Sequence, residues 1–103
     1  MKLVRDIEAE DKRGTHFVRH AGAEERWQLL REKLLDEAKL LLATTPGGDE
    51  EIEQLINVIE VVKRMTNDIE IAYPGTIKKV YDKALQERGE LGFLVVAEKQ
   101  DLI

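Results

Sequence analysis

Hydrophobic residues recur every three or four positions through two long segments of the chain, a spacing that places them on one face of an α-helix. Sequence TTPGG, at residues 44–48, separates the two segments and ends the first helix. Asp49 is placed to cap the second helix, since its carboxylate can accept a hydrogen bond from an unpaired amide of the first turn. The apolar face of the first helix, residues 23–43, comprises Trp27, Leu30, Leu34, Leu35, Ala38, Leu41 and Leu42.

The second helix is apolar over more than half of its circumference. Its main stripe is Ile52, Leu55, Ile56, Ile59, Val62 and Met65, and Val58 and Val61 widen it. A helix that is apolar on two sides must bury both of them. We therefore predict an all-α fold, an antiparallel helical bundle that is completed by a second subunit, as a homodimer or, doubled, as a tetramer.

The remaining segments are shorter. Thr76 can cap a third long helix that runs to Arg88, and Gly89 is placed to end it. The pattern leaves open whether residues 68–73 add a helical turn. Residues 16–20, HFVRH, and residues 92–98, GFLVVAE, are rich in β-branched or aromatic residues and predict short strands or extended segments near the two ends.

Composition narrows the class of protein. A chain of 103 residues predicts a single domain, 1–103, and such a domain buries only about 60 to 70 percent of its unfolded surface, so a partner subunit would add stability. The net charge of −5 disfavours binding to DNA or RNA, which requires a concentrated basic surface. There is no cysteine, no apolar run long enough to span a membrane and no apolar core of a signal peptide at the start. We expect a soluble cytoplasmic protein.

Four segments together resemble a known family. They are KLVRD at residues 2–6, LREKLLDEAKLLL at 30–42, EQLINVIEVV at 53–62 and KALQERGELGF at 83–93. In order and spacing they are similar to the MazG-like, phosphoribosyl-ATP pyrophosphohydrolase-like branch of the all-α nucleotide pyrophosphohydrolases. The resemblance covers nearly the whole chain. It implies Mg²⁺-dependent hydrolysis of a nucleoside triphosphate or related nucleotide between the α and β phosphates.

The family holds its Mg²⁺ with an ExxE motif on one helix and an ExxD motif on the next. Residues three apart project from one face of a helix, so two such pairs on facing helices can converge on one cation. In this chain the first pair falls on Glu37 and Leu40, and the second on Gln54 and Asn57, with 13 residues between the pairs. Only Glu37 keeps the ligand type of the family.

Other carboxylates nearby offer an alternative metal site. Asp36, Glu53 and Glu60 are close in sequence, and Glu53, Asn57 and Glu60 share roughly one helical face. Together with Glu37 they predict at most a weak Mg²⁺ site. A second interpretation is that the acids are solvated, helix-favouring residues without a ligand, namely Glu32, Asp36, Glu50, Glu51 and Glu53. A third is that Gln54 and Asn57 are buried hydrogen-bonding residues inherited from an ancestral site.

Basic residues at matching positions are candidates for contacts with substrate phosphate. The resemblance implies this role for Arg5, Lys83 and Arg88, with Gln54 as a further candidate, and a guanidinium suits phosphate because its forked donors bind two oxygens. The alternative is an ordinary ion pair with Asp6 or Glu87.

Three classes of function remain. The resemblance implies a metal-dependent nucleotide pyrophosphohydrolase as the nominal activity. The alternative to it is a catalytically degenerate relative that binds a nucleotide or a protein partner, which the replaced ligands support. A plain helical dimerisation module is the third class, because fold resemblance alone does not establish activity.

Overall fold

The computed structural model describes residues 1–100, and all of its regular secondary structure in that range is helical. Four helices follow one another along the chain: α1, Asp6–Lys12; α2, Ala23–Ala43; α3, Asp49–Ala72; and α4, Thr76–Arg88. The predicted all-α class is confirmed. Two compact units are distinguished, Met1–Asp68 and a second that begins at Ile69, so the boundary falls within α3.

The start of α2 is fixed by a local contact between Gly22 and Glu25. The Gly22 amide donates to Glu25 Oε1 at 2.9 Å, and the Glu25 amide donates back to the Gly22 carbonyl oxygen at 3.2 Å. This satisfies amide groups that have no partner inside the helix. The boundaries of α2 are those that the hydrophobic spacing predicts.

In the first unit, α2 and α3 lie antiparallel. Arg26, near the start of α2, bonds Asp68 near the end of α3, whereas Glu37 late in α2 bonds Gln54 early in α3. The short turn at residues 44–48 makes this arrangement the natural one. The buried apolar side chains among residues 1–100 are Leu29, Leu30 and Val61, so the core lies where the middle of α2 meets the middle of α3.

The predicted strands are wrong. Residues 16–20 and 92–98 form no strand in the part of the chain that the structure describes. An isolated strand has no partner for its backbone hydrogen bonds, so β-propensity alone does not produce a strand. The other prediction for these residues, extended segments without strand pairing, fits better. A turn at residues 91–94 interrupts the segment 92–98, and in it the Leu94 amide donates to the Leu91 carbonyl oxygen at 3.2 Å.

Two predicted helix caps are also wrong. Helix α3 begins at Asp49 itself, and the Gly47 amide donates instead to Glu51 Oε1 at 3.2 Å. Helix α4 begins at Thr76, and its N-cap is Gly75, whose φ of 82° lies in the left-handed region that favours glycine. Gly89 ends α4 as predicted, again with a positive φ, 72°.

The segment at residues 68–73 is helical as far as Ala72. Helix α1 was not predicted, and none of its seven residues is buried, so it has no apolar stripe to reveal it. None of the helices among residues 1–100 combines the length and the apolar character needed to cross a membrane.

Candidate functional site

Glu37 is the centre of a polar network within the first unit. It is a buried residue, only 7% exposed, on the face of α2 that meets α3. Gln54 of α3 donates from Nε2 to the Glu37 carbonyl oxygen at 2.8 Å and to its carboxylate Oε2 at 2.6 Å. Lys33, one turn earlier on α2, lies with its Nζ 2.9 Å from the other carboxylate oxygen, Oε1. Both carboxylate oxygens of Glu37 are therefore engaged.

Asn57 and Arg5 extend this network along α3. Asn57 Nδ2 donates to Gln54 Oε1 at 3.1 Å, one turn away on the same helix. Arg5 donates from Nη1 to Asn57 Oδ1 and from Nη2 to Glu60 Oε1, the second at 3.0 Å. The chain of contacts thus runs from Lys33 through Glu37, Gln54, Asn57 and Arg5 to Glu60.

The pKa of Glu37 reflects these neighbours. Burial raises this pKa, because it disfavours the charged carboxylate, but hydrogen bonds from Lys33 and Gln54 and the charges of Lys33 and Arg5 outweigh burial. The pKa consequently lies below its ordinary value. Glu37 is an ionised carboxylate at neutral pH that is neutralised by the side chains around it.

A cavity of about 170 Å³ lies beside the network. Leu3, Val4 and Arg5 line it from the N-terminal segment, Leu30, Lys33 and Glu37 from α2, and Asn57, Glu60, Val61 and Arg64 from α3. Its wall is mixed, with apolar side chains beside two carboxylates and three cationic groups. The cavity is too small for a nucleotide, since ligand pockets are usually about 300 to 1,000 Å³.

The network brings together four of the predicted metal and substrate-binding residues of α2 and α3, namely Glu37, Gln54, Asn57 and Glu60, and joins Arg5 to them. Leu40 and Glu53 are exposed on the helices that carry them. Asp36 pairs instead with Lys2, whose Nζ lies 3.1 Å from Asp36 Oδ2. Gln54 and Asn57 are half-buried and take part in hydrogen bonds.

Lys83 and Arg88, the other predicted phosphate contacts, belong to α4 in the second unit. Lys83 Nζ lies 3.9 Å from Glu87 Oε1, one turn along the same helix, which is the alternative ion pair considered for it. Arg88 is exposed at the end of α4.

The arrangement does not fit Mg²⁺, which requires near-octahedral oxygen ligands and prefers carboxylates. The oxygens at Glu37, Gln54 and Asn57 each already accept a hydrogen bond or lie against an ammonium group. Among residues 1–100 no group of three or more acids and histidines is placed to hold a metal ion. No buried side-chain nitrogen or oxygen in that range lacks a hydrogen-bond partner, so no orphaned atom marks a missing cation.

Four contacts of the site were not predicted from the sequence, namely Lys33 with Glu37, Lys2 with Asp36, and Arg5 with Asn57 and with Glu60. The contact of Lys33 with Glu37 could have been predicted, because Lys and Glu four apart on a helix are neighbours. The other three join residues distant in sequence, and no local pattern indicates them.

Comparison of the chain with protein-family models, with curated proteins and with solved structures gave no match.

Proposed function

We propose that this protein is a catalytically degenerate relative of the MazG-like nucleotide pyrophosphohydrolases that acts as a helical interaction module and assembles with a second copy of itself. The resemblance of the four sequence segments supports the relationship. The engaged oxygens of the Glu37 network support the loss of hydrolysis, because a metal ion would have to displace several hydrogen bonds to bind there.

The proposed self-association rests on one observation, which is that the apolar row of α3 is exposed. Ile52, Leu55, Ile59 and Val62 are spaced by three, four and three residues, the repeat by which helices pack against one another, and each is more than 40% exposed. Ile56 widens the row and is also exposed. A contiguous apolar surface of this kind is typical of an interaction site.

The exposed apolar row of α3 needs a partner that covers it. A second copy is the favoured occupant because it presents the same apolar row, which a two-fold axis makes self-complementary.

The test is the molar mass in solution. Light scattering at micromolar concentration should give a homodimer, or a tetramer formed from two dimers. A monomer at that concentration would contradict the proposal. Calorimetry should also give at most millimolar affinity for Mg²⁺ in the absence of nucleotide, because a single engaged carboxylate cannot compensate for dehydration of the ion.

The second candidate function is the family's Mg²⁺-dependent hydrolysis of a nucleotide between the α and β phosphates. It is favoured by the convergence of Glu37, Gln54 and Asn57 in one network, since these are three of the four positions that carry metal ligands in the family. The triple variant Leu40→Glu, Gln54→Glu, Asn57→Asp supplies the missing carboxylates. If the ancestral geometry survives, this variant should gain Mg²⁺-dependent release of pyrophosphate and a higher melting temperature with Mg²⁺.

The assay of the triple variant should use several nucleoside triphosphates and follow pyrophosphate separately from orthophosphate. Only pyrophosphate indicates cleavage between the α and β phosphates. A folded triple variant that gains neither activity nor Mg²⁺ stabilisation would remove support for the hydrolase, while tight stoichiometric Mg²⁺ binding by the wild type would favour it.

A further inference from the structure

The apolar row of α3 has opposite charges at its two ends. Asp49, Glu50 and Glu51 make the first turn of the helix acidic, and Lys63 follows Val62 at the far end of the row. Asp49 and Lys63 are both exposed. None of the ion pairs among residues 1–100 includes either of them. Both charges are therefore available to a partner that covers the row.

The spacing of the row gives α3 a seven-residue repeat. Ile52 and Ile59 are equivalent positions in this repeat, and two further lines of residues seven apart lie along its two sides. One line, here called the outer flank, consists of Asp49, Ile56 and Lys63, and all three are exposed; the other consists of Glu51, Val58 and Met65, and all three are partly covered. The outer flank is thus the free edge beside the apolar row.

A second copy can lie along this row in either of two directions. In an antiparallel pair related by a two-fold axis, the two outer flanks lie side by side, with Ile56 nearest the axis. Asp49 of each copy then faces the partner's Lys63. In a parallel pair the outer flank lies beside the other flank of the partner, so Lys63 faces the partner's Val58 and no opposite charges meet. The two acidic first turns also come together in that arrangement, and like charges in contact are destabilising.

We propose that the second copy binds with its α3 antiparallel to that of the first, and that two symmetry-related ion pairs, each between Asp49 and the partner's Lys63, select this direction. The inference rests on the proposed self-association and adds the direction and register of the partner. The apolar row supplies the affinity, since exposed ion pairs are individually weak. The charged ends supply the specificity, because complementary charges suppress wrong pairings and fix the register of an interface.

The experiment reverses each charge and measures dimerisation of the full chain by sedimentation velocity at low salt, where screening is least. Asp49→Lys brings two ammonium groups together at each end of the interface, and Lys63→Glu brings two carboxylates together. Each variant should have a dissociation constant about tenfold higher than the wild type, because two attractive pairs become repulsive.

An equimolar mixture of these two variants should dimerise as tightly as the wild type. Each introduced side chain meets its opposite charge on the other variant, and the unchanged Lys63 of one meets the unchanged Asp49 of the other. The double variant Asp49→Lys, Lys63→Glu should likewise recover the affinity of the wild type, since both of its ion pairs are restored with their signs reversed.

The matched controls are Glu50→Lys and Lys39→Glu. Glu50 belongs to the same helical turn as Asp49 but lies outside the outer flank, and Lys39 is an exposed lysine on α2. Each control variant should change the dissociation constant by less than about twofold, and mixing the two should give no gain. Circular dichroism of every variant confirms that the helices are retained.

The outcomes separate this inference from the proposed self-association. A wild type that remains a monomer would overturn both. A dimeric wild type whose charge-reversed variants dimerise equally well, or whose variants gain nothing on mixing, would overturn the antiparallel pairing alone.

A second measurement reports the direction of pairing without altering Asp49 or Lys63. The chain has no cysteine, so Glu50→Cys provides a single attachment site for a paramagnetic label. The labelled chain is mixed with a ¹⁵N-enriched wild-type chain, and only the amides of the wild-type chain are observed. The label should broaden the amide signals around Lys63. Broadening around Asp49 with none around Lys63 would show a parallel pair and overturn the proposal.

Discussion

Gln54 holds Glu37 by two hydrogen bonds from one nitrogen, to the backbone carbonyl oxygen at 2.8 Å and to the carboxylate at 2.6 Å. The amide therefore joins α3 to α2 and neutralises part of the charge of a buried acid. A glutamate at position 54 would have no proton to donate at neutral pH. The amide at position 54 thus supplies a donor that a carboxylate would lack, and the protein uses this donor to hold a buried acid.

The first prediction concerns Gln54→Glu. This variant loses the donor and places a second negative charge beside Glu37, so the free energy of unfolding at pH 7 without divalent cations should fall by about 1 to 3 kcal/mol. Urea denaturation followed by circular dichroism measures this difference.

The matched control for that measurement is Glu53→Gln, a change in the opposite direction at the neighbouring, exposed position. It should alter the free energy of unfolding by less than about 0.5 kcal/mol. A Gln54→Glu variant as stable as the wild type would indicate that the Gln54 amide does not stabilise Glu37.

The two long helices could be predicted because their stripes are long and regular. Leu30 and Val61 both belong to those stripes, and both are buried where α2 and α3 meet. The short elements could not be predicted. Helix α1 has no buried face. Residues 92–98 have side chains that favour strands, but they form no strand. The β-propensity of a residue describes how well it fits a sheet, and it does not provide the partner strand that a sheet requires.

The candidate site was predictable only in part. Helical spacing correctly places Gln54 and Asn57 on one face of α3, and a short turn directs that face toward Glu37. The contact of Arg5 with Glu60 spans 55 residues, and no periodicity encodes it. Leu3 and Val4 likewise reach the cavity from a segment without regular structure. Long-range contacts of this kind depend on tertiary packing.

The second prediction concerns the pair Arg26 and Asp68. Arg26 donates from Nε to Asp68 Oδ2 at 2.8 Å and from Nη2 to Asp68 Oδ1 at 2.6 Å, a two-pronged contact that joins α2 to α3. Paired donors and partial burial strengthen such a contact. A double-mutant cycle with Arg26→Ala and Asp68→Ala should give a coupling free energy of about 1 to 2 kcal/mol.

The pair Lys78 and Asp82 provides the control for this cycle. It is an ion pair of 2.6 Å within α4, but its side chains are 83% and 53% exposed. Its coupling free energy should not exceed about 0.5 kcal/mol, because solvent and salt screen an exposed pair. Equal coupling in the two cycles would show that the contact between the helices has no special role. Since Arg64 also approaches Asp68, at 3.5 Å, Arg64→Ala should be measured as a third variant.

The third prediction is a dependence of stability on acid pH. The side-chain hydrogen bond from Arg19, followed by the amide of Gly22, lowers the pKa of Glu25 from 4.5 to about 2. Because the folded pKa lies below the unfolded one, the stabilising contribution is complete above about pH 4.5 and disappears as the pH falls toward 2. The melting temperature of the wild type should exceed that of Glu25→Gln near pH 6, and the difference should shrink across this window.

Glu24→Gln is the matched control, since it removes the same charge from the same helical turn and leaves the contact of Arg19 with Glu25 intact. It should retain the wild type's loss of stability between pH 4.5 and 2. A difference between the wild type and Glu25→Gln that stays constant through this window would contradict the low pKa of Glu25.

The fourth prediction tests the apolar row of α3. Ile59 lies in the middle of the row and is 52% exposed. A glutamate at this position would bring a charge into the proposed interface, where it must lose its hydration without gaining a partner. Ile59→Glu should therefore weaken self-association by about 30-fold or more, the effect expected at the centre of an interface. Sedimentation velocity over a range of protein concentrations measures it.

The control for Ile59→Glu is Phe17→Glu, which introduces the same side chain at an apolar residue that is 89% exposed and lies outside the four helices. Phe17→Glu should keep the mass of the wild type, because a scattered exposed apolar residue does not by itself form an interface. If both variants dissociate into monomers, added negative charge weakens the dimer wherever it is placed, and the apolar row of α3 is not specifically the interface. If Ile59→Glu remains a dimer with an unchanged dissociation constant, the second copy binds elsewhere. Loss of the dimer in Ile59→Glu alone, with its helical circular dichroism retained, would place the interface on α3, since the local change would then affect assembly and not folding.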